Sequence, residues 1–285
     1  MIPTFVIGLR EGLEASLIVG IIAAFLTRSG RPDALKGVWL GVAAAVAICL
    51  GIGVGLEALN SSLPHKQQEG LETVIALIAV ATVTWMVVWM KRHARGLKAS
   101  IEESAAGALA KGTTTALVAM AFFAVLREGF ETAVFLLAAF QASSTPLASG
   151  IGVVLGIATA LVLGYLIYRG GVRIDLARFF RVTGFVLVLV AAGLVSSAIH
   201  SAHEAGWIVA GQAQAFDLTW LVDPGSIRAS LITGMLGLQP QPTVAEVVGW
   251  LLYAIPMSIY VLWPSAPRTR RPAPVVTSQT QEAIS

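Results

Sequence analysis

Charge is what this chain has least of. Only 12% of its 285 residues are Asp, Glu, Lys or Arg, about half the ~25% usual for a soluble domain. Hydrophobic residues make up 56%, and they gather into runs of roughly twenty or more, the length a helix needs to cross a bilayer. That excludes an ordinary soluble fold. Cysteine is nearly absent. The single Cys49 excludes an intramolecular disulfide and is poor support for a metal or redox centre, so it reads as a small packing residue. Histidine is scarce too: His65, His93, His200 and His203 are the only four. The N-terminus lacks the basic segment and the small-x-small cleavage site of a signal peptide. It reads instead as a first span that is retained. A pI near 9.2 invites a nucleic-acid partner, but the basic residues lie in short loops between apolar runs, so no nucleic acid is expected.

Hydropathy yields seven spans, at roughly 4–27, 37–59, 71–90, 113–140, 147–168, 180–203 and 244–263. The loops between them set the orientation. Fifteen Lys and Arg fall on one side: Arg28, Arg31 and Lys36; Lys91, Arg92, Arg95, Lys98 and Lys111; Arg169, Arg173, Arg178 and Arg181; Arg268, Arg270 and Arg271. The other side holds Lys66 and Arg228 alone. This asymmetry puts the N-terminus outside and the C-terminus in the cytoplasm. The fold expected is an all-α membrane protein of seven transmembrane helices, with residues 1–263 as one domain. Residues 264–285, rich in Pro, Ser, Thr and Arg, read as a disordered cytoplasmic tail. Small-x-x-x-small pairs at Gly37/Gly41, Gly51/Gly55 and Gly152/Gly156 are expected at close helix contacts. Gly51-Ile52-Gly53-Val54-Gly55 lies within an apolar helix and is no nucleotide loop. Trp85 and Trp89 read as interfacial anchors near the inner end of span 3.

The charges that are present stand in two unlikely places. Leu9-Arg10-Glu11-Gly12-Leu13-Glu14 lies within span 1, and its pattern returns 117 residues later in span 4 as Leu126-Arg127-Glu128-Gly129-Phe130-Glu131. Ionisable residues inside spans are rare and by default functional. Residues three or four apart share a helix face, so Arg10, Glu11 and Glu14 project to one side, as do Arg127, Glu128 and Glu131. An odd number of crossings separates the two copies, so they run antiparallel. Spans 1–3 (about 4–90) and 4–6 (about 113–203) then form an inverted repeat, an architecture whose site lies near the midplane between the halves. The seventh span has no repeat partner. Gly12 and Gly129 leave room for a neighbouring helix or an ion.

Magnitudes favour a site over a structural role. Each charge at a helix centre costs ~2.5–3.5 kcal/mol, so six unpaired charges would cost on the order of 15–20 kcal/mol. Two Arg–Glu pairs offset part of this and leave two carboxylates that want a proton or a cation. Buried ion pairs do fix helix register in some proteins, but register needs no cluster of four carboxylates. Carboxylate oxygens suit hard cations and tolerate ferrous iron, and paired Glu-x-x-Glu or Glu-x-x-His helices also build di-iron centres. A second constellation, His200, His203 and Glu204, lies at the outer end of span 6 with spacing that suits a metal at the outer mouth. Solvated polar groups at a helix end account for His200 equally well. Glu69 and Glu72 open span 3 on the same side, where first-turn carboxylates are ordinary. Of these Glu72 is the stronger candidate. Asp217 and Asp223 read as solvated or capping residues.

With both motifs in view, the chain resembles the high-affinity iron permease family, the oxidase-dependent iron transporters. The resemblance covers nearly everything but the tail. Beyond the two Arg-Glu-x-x-Glu copies it rests on Thr84-Trp85-Met86-Val87 with Trp89-Met90, Phe122-Phe123-Ala124 and Leu136-Leu137-Ala138-Ala139-Phe140-Gln141. It continues through Gly170-Gly171-Val172-Arg173 and His203-Glu204-Ala205-Gly206. Phe130 stands where bacterial members often have Leu. The resemblance implies a permease and not an enzyme, carrying iron inward across the cytoplasmic membrane with no permanently bound cofactor. It implies Glu11, Glu14, Glu128 and Glu131 as iron ligands. It matches Glu72, His203 and Glu204 to positions in bacterial members, whereas His200 is not shared. Arg10 and Arg127 are expected to hold the empty carboxylates ionised and to yield when the cation enters. The partners implied are a periplasmic iron-binding protein and a haem peroxidase, or in fungal relatives a multicopper ferroxidase. The alternatives are a permease for another divalent ion such as manganese, a membrane di-iron oxidoreductase, and a structural subunit. The four histidines, all in loops or at span ends, argue against the oxidoreductase.

Overall fold

The computed structural model describes residues 1–31, 33–93, 114–141, 146–169, 175–217, 219 and 239–263. They form seven helices: α1 (Ile2–Arg28), α2 (Ala34–Ser62), α3 (His65–His93), α4 (Thr114–Gln141), α5 (Pro146–Tyr168), α6 (Leu176–Glu204) and α7 (Val244–Leu262). Apart from one isolated bridge, Gln214–Thr243, the described residues hold no β-structure. Each helix lies on one of the seven apolar runs. The largest difference is at the start of α3, which begins six residues before the apolar run. His65 to Glu69 are polar, and hydropathy passes over them, but Lys66 to Glu69 are good helix formers just after Pro64. Side-chain caps set two starts: Asp175 accepts from the Arg178 amide at 3.1 Å, and Thr243 from the Glu246 amide at 3.3 Å. The basic loop residues Arg95, Lys98, Lys111, Arg173 and Arg228, together with Asp223, Gly170 to Val172 and the tail, lie outside the described residues.

Five helices are long and apolar enough to cross a membrane, by length and composition alone. The other two, α1 and α4, are as long at 27 and 28 residues. Each instead carries three ionisable residues in one Arg-Glu-x-x-Glu motif. The chain is an all-α, multi-pass membrane protein. Its outer helices expose large apolar side chains such as Leu40, Val54, Val154, Leu161 and Leu252, surface that suits lipid contact.

Packing follows a crossed pattern. On α1 and α5, Gly152 lies against Met1 and Thr4, Gly156 against Phe5 and Leu9, Gly12 against Ala160, and Gly164 against Ser16. Residue numbers rise together, so the two helices run parallel. The same holds for α2 and α4, where Gly37 meets Val118, Gly41 meets Phe122, Cys49 meets Gly129 and Gly53 meets Ala133. Helices α3 and α6 run antiparallel: Gly70 meets Trp207 just past the end of α6, and at the opposite ends Met90 packs with Phe180. A shared core including Ile7, Val83, Met86, Phe135, Leu187 and Leu194 joins α1, α3, α4 and α6. Two of the three glycine pairs therefore serve close packing. Gly51 and Gly55 do not, because a Cβ at either would meet nothing within 4 Å. Gly53 between them faces α4.

Candidate metal centre

Close approach of backbones builds the centre. A Cβ on Gly12 would come within 2.9 Å of Ala160, and one on Gly129 within 2.7 Å of the Cys49 sulfur. The room left by both motif glycines is thus filled by neighbouring helices, α5 and α2. Cys49 is a buried packing residue whose thiol points to the Leu126 carbonyl at 3.5 Å. With α1 and α4 pressed inward from both flanks, their polar faces meet. Glu11, Glu14, Glu128 and Glu131 are all at least 94% buried.

The meeting is tight enough for one ion. A carboxylate oxygen from each of Glu11, Glu128 and Glu131 lies within 4.8 Å of the others. Oxygens on opposite sides of a divalent ion, at ~2.0–2.6 Å each, stand about 4–5 Å apart. Glu14 borders this trio, 3.4 Å from Arg10 Nη2 and close enough to Glu131 and Arg127 to interact with both charges. Buried carboxylate oxygens that accept no hydrogen bond are costly, and here they cluster. Both oxygens of Glu11 and one each of Glu14, Glu128 and Glu131 have no hydrogen-bond partner. The donor set and its orphaned oxygens fit a hard cation.

The two arginines are held differently. Arg127 donates from Nε to Glu131 Oε1 at 3.0 Å, and its guanidinium sits 5.2 Å and 5.8 Å from the Trp85 and Trp89 ring centres, within cation–π range. Its side chain is 44% exposed on the protein's own surface. Trp85 and Trp89 are therefore more than interfacial anchors, because they carry the polar partner of the second motif. Arg10 is 1% exposed and stands between Glu11, Glu14, Met86 and Phe180.

The constellation expected at the outer mouth looks different. Among the described residues the central trio is the one group of three ligands close enough for a metal. Glu72 accepts from Asn60 and Gln68, each at 3.2 Å. His203 Nε2 lies 3.1 Å from the Ala210 carbonyl, which can only accept, so that nitrogen carries the proton. His200 Nδ1 pairs with Glu246 Oε1 at 3.1 Å, and Glu204 and Glu69 lie near enough to act on it electrostatically. Glu72, His203 and Glu204 are not gathered to one point. Sequence reasoning passed over Glu246, which is 1% exposed on α7. A signal existed: Thr243 and Glu246 have the spacing of a capping box, yet this Glu at the mouth of a span turns to a histidine on another helix. Asn60, 4% exposed, gave no such signal.

Fold and site together define a polytopic membrane protein whose two charged helices enclose a cation-sized nest of carboxylates. Residues 1–265 match the Iron permease FTR1 family, and the chain belongs to that family. It is similar to the ferrous iron permease EfeU of Escherichia coli O6:H1 strain CFT073, 44% identical over 272 residues, 94% of this chain and 98% of the relative. It is likewise similar to the ferrous iron permease EfeU of Yersinia pestis, 43% identical over 266 residues, 93% of this chain and 94% of the relative. No solved structure matches. By family the chain is a transporter and not an enzyme, and it resides in the inner membrane.

Proposed function

We propose that this chain carries ferrous iron inward across the cytoplasmic membrane through the Glu11, Glu14, Glu128 and Glu131 cluster near the midplane. The observation that carries the reading is the set of buried carboxylate oxygens that accept no hydrogen bond where α1 and α4 meet. The relatives are named as ferrous iron permeases. Charge agrees with that: four carboxylates against two guanidinium groups leave two negative charges, which a divalent ion neutralises. Iron is cargo here, with no resident cofactor. Oxygen ligands tolerate ferrous iron and release it more readily than sulfur or imidazole would.

The crossed pairing of α1 with α5 and of α2 with α4 supports an inverted repeat. Each repeat's first helix lies against the other repeat's second helix, and the glycines at 37 and 41 answer those at 152 and 156. Residues 1–263 act as one transport domain ahead of a cytoplasmic tail at 264–285. With the N-terminus outside, Glu72, His200, His203 and Glu204 face the periplasm and meet the ion singly on its way in, as an entry path. Rocking of the two repeats about the carboxylates exposes them to each side in turn. A periplasmic iron-binding protein and a haem peroxidase are the proposed partners on the outer side; a ferroxidase in that place would hand on Fe³⁺, the product of its oxidation, and the cargo would then be ferric. Removing the two partners is expected to lower uptake from complexed iron while leaving uptake of free Fe²⁺ intact.

The deciding experiment is Fe²⁺ accumulation in proteoliposomes. Glu131→Ala and Glu14→Ala, present in the membrane at wild-type level, are expected to fall to about a hundredth of wild type or less, since even outer-shell changes at metal sites cost ~10–100-fold. Uptake at the wild-type rate would sink the ligand assignment. Stronger competition by Mn²⁺ than by unlabelled Fe²⁺ would transfer the reading to manganese.

A further inference from the structure

Transport through this cluster requires at least one guanidinium to move aside, and the two are not equally free to do so. Arg127 is fixed by a charge-assisted hydrogen bond to Glu131 at 3.0 Å and by two tryptophan faces. Arg10 is more deeply buried and more loosely held. Glu11 and Glu14 stand 3.6 Å and 3.4 Å from its terminal nitrogens, but the oxygens concerned accept no hydrogen bond. Its Nε has no partner. What Arg10 does donate to is the Met86 sulfur, 3.1 Å from Nη1, a weak acceptor. The Phe180 ring lies 6.0 Å away.

We infer that Met86 is a positioning residue that parks Arg10 beside Glu11 and Glu14 instead of on them, and that Arg10 is the guanidinium displaced by the entering ion. The inference rests on the carboxylate cluster being the iron site. Its logic is electrostatic. A guanidinium a few tenths of an ångström beyond bonding distance still favours the ionised carboxylates by Coulomb attraction. It leaves their lone pairs available, whereas a bidentate Arg–carboxylate pair would occupy them in strong bonds. A divalent ion arriving at the trio repels both arginines, and the one held by a thioether gives way first. Arg127 stays on Glu131 and its tryptophans. Met86 is itself 1% exposed, so this contact lies where water does not compete.

Met86→Leu conserves volume and removes the acceptor. In proteoliposomes the KM for Fe²⁺ is expected to rise about 10-fold as Arg10 settles onto its glutamates, with the maximal rate changed less than about two-fold. Met86→Gln supplies a better acceptor and is expected to keep KM within about two-fold of wild type. In an Arg10→Gln background, Met86→Leu is expected to leave KM unchanged, because coupled residues are non-additive. A wild-type KM in Met86→Leu would overturn the inference. So would an equal rise in Met86→Gln, or the same rise with and without Arg10, since loss of packing alone gives those results. Wild type and Glu131→Ala run alongside separate the two failures. If wild type accumulates no iron, or Glu131→Ala matches it, the iron site itself is wrong. If those controls behave and only the Met86–Arg10 coupling is missing, Met86 alone is wrongly assigned.

Discussion

The central cluster and the one where α3 begins and α6 ends both set carboxylates at helical i,i+3 or i,i+4 spacing to other polar groups, yet the structure treats them in opposite ways. In the centre, Glu11, Glu128 and Glu131 converge from two helices and keep oxygens that accept no hydrogen bond. Where α3 begins and α6 ends, Glu72 is occupied by Asn60 and Gln68, His203 by the Ala210 carbonyl, and His200 by Glu246. Spacing on one helix brings groups to a face. Whether they become a site depends on what a second helix presents to them. Water and amide donors satisfy a helix end, whereas deep in a span nothing but another ligand can.

That contrast can be broken by measurement. The largest effect is expected for Glu128→Gln, which keeps the shape and removes the charge. Uptake of Fe²⁺ should fall at least about 100-fold, well beyond the ~10–100-fold typical of losing an outer-shell partner. Acidification should act next. Metal ligands must be deprotonated, so lowering the outside pH is expected to raise KM progressively, with recovery at higher Fe²⁺. An unchanged KM from neutral to acidic pH would contradict carboxylate ligation. Glu246→Gln keeps an acceptor for His200 but makes the bond a neutral one, and is expected to lower thermal stability by about 1 kcal/mol, measured as a melting shift in detergent. Its effect on uptake should be smaller than that of Glu128→Gln. Glu72→Gln and His203→Ala should matter least, raising KM less than about 10-fold at constant maximal rate. Should either abolish uptake as Glu128→Gln does, the two clusters are equals after all.

Much of the architecture was legible because membrane depth is written locally. Seven apolar runs became seven helices, and Arg-Glu-x-x-Glu stood out because charge is improbable there. The repetition of the motif was enough to set α1 against α4. What stayed hidden depends on neighbours from distant parts of the chain. Nothing near Arg127 announces Trp85 and Trp89, and nothing near Arg10 announces Met86. The Gly51/Gly55 pair obeys a packing pattern but lies on the open side of α2, since spacing does not say which face meets a partner. The outer histidines had convincing spacing and no convergence. Glu246 was passed over for the opposite reason: its capping-box spacing with Thr243 marks a helix start, where acids are commonplace, and says nothing of His200.

The crossed pairing also bears on how the protein comes to be made. The partner of α1 along its length is α5, synthesised only after Gly152 leaves the ribosome, and the partner of α2 is α4. Helices α1 and α2 share only the cluster of Val19, Ile22 and Leu26 with Val38 and Ala45, and Leu117, Ala121 and Val125 of α4 complete it. Early in synthesis Arg10, Glu11 and Glu14 therefore have no carboxylate-bearing helix facing them, and the central nest closes only when the second half arrives. A chain divided between 93 and 114 should yield two pieces that are degraded when made singly and recovered when made together. The halves are interlocked and must mature as one.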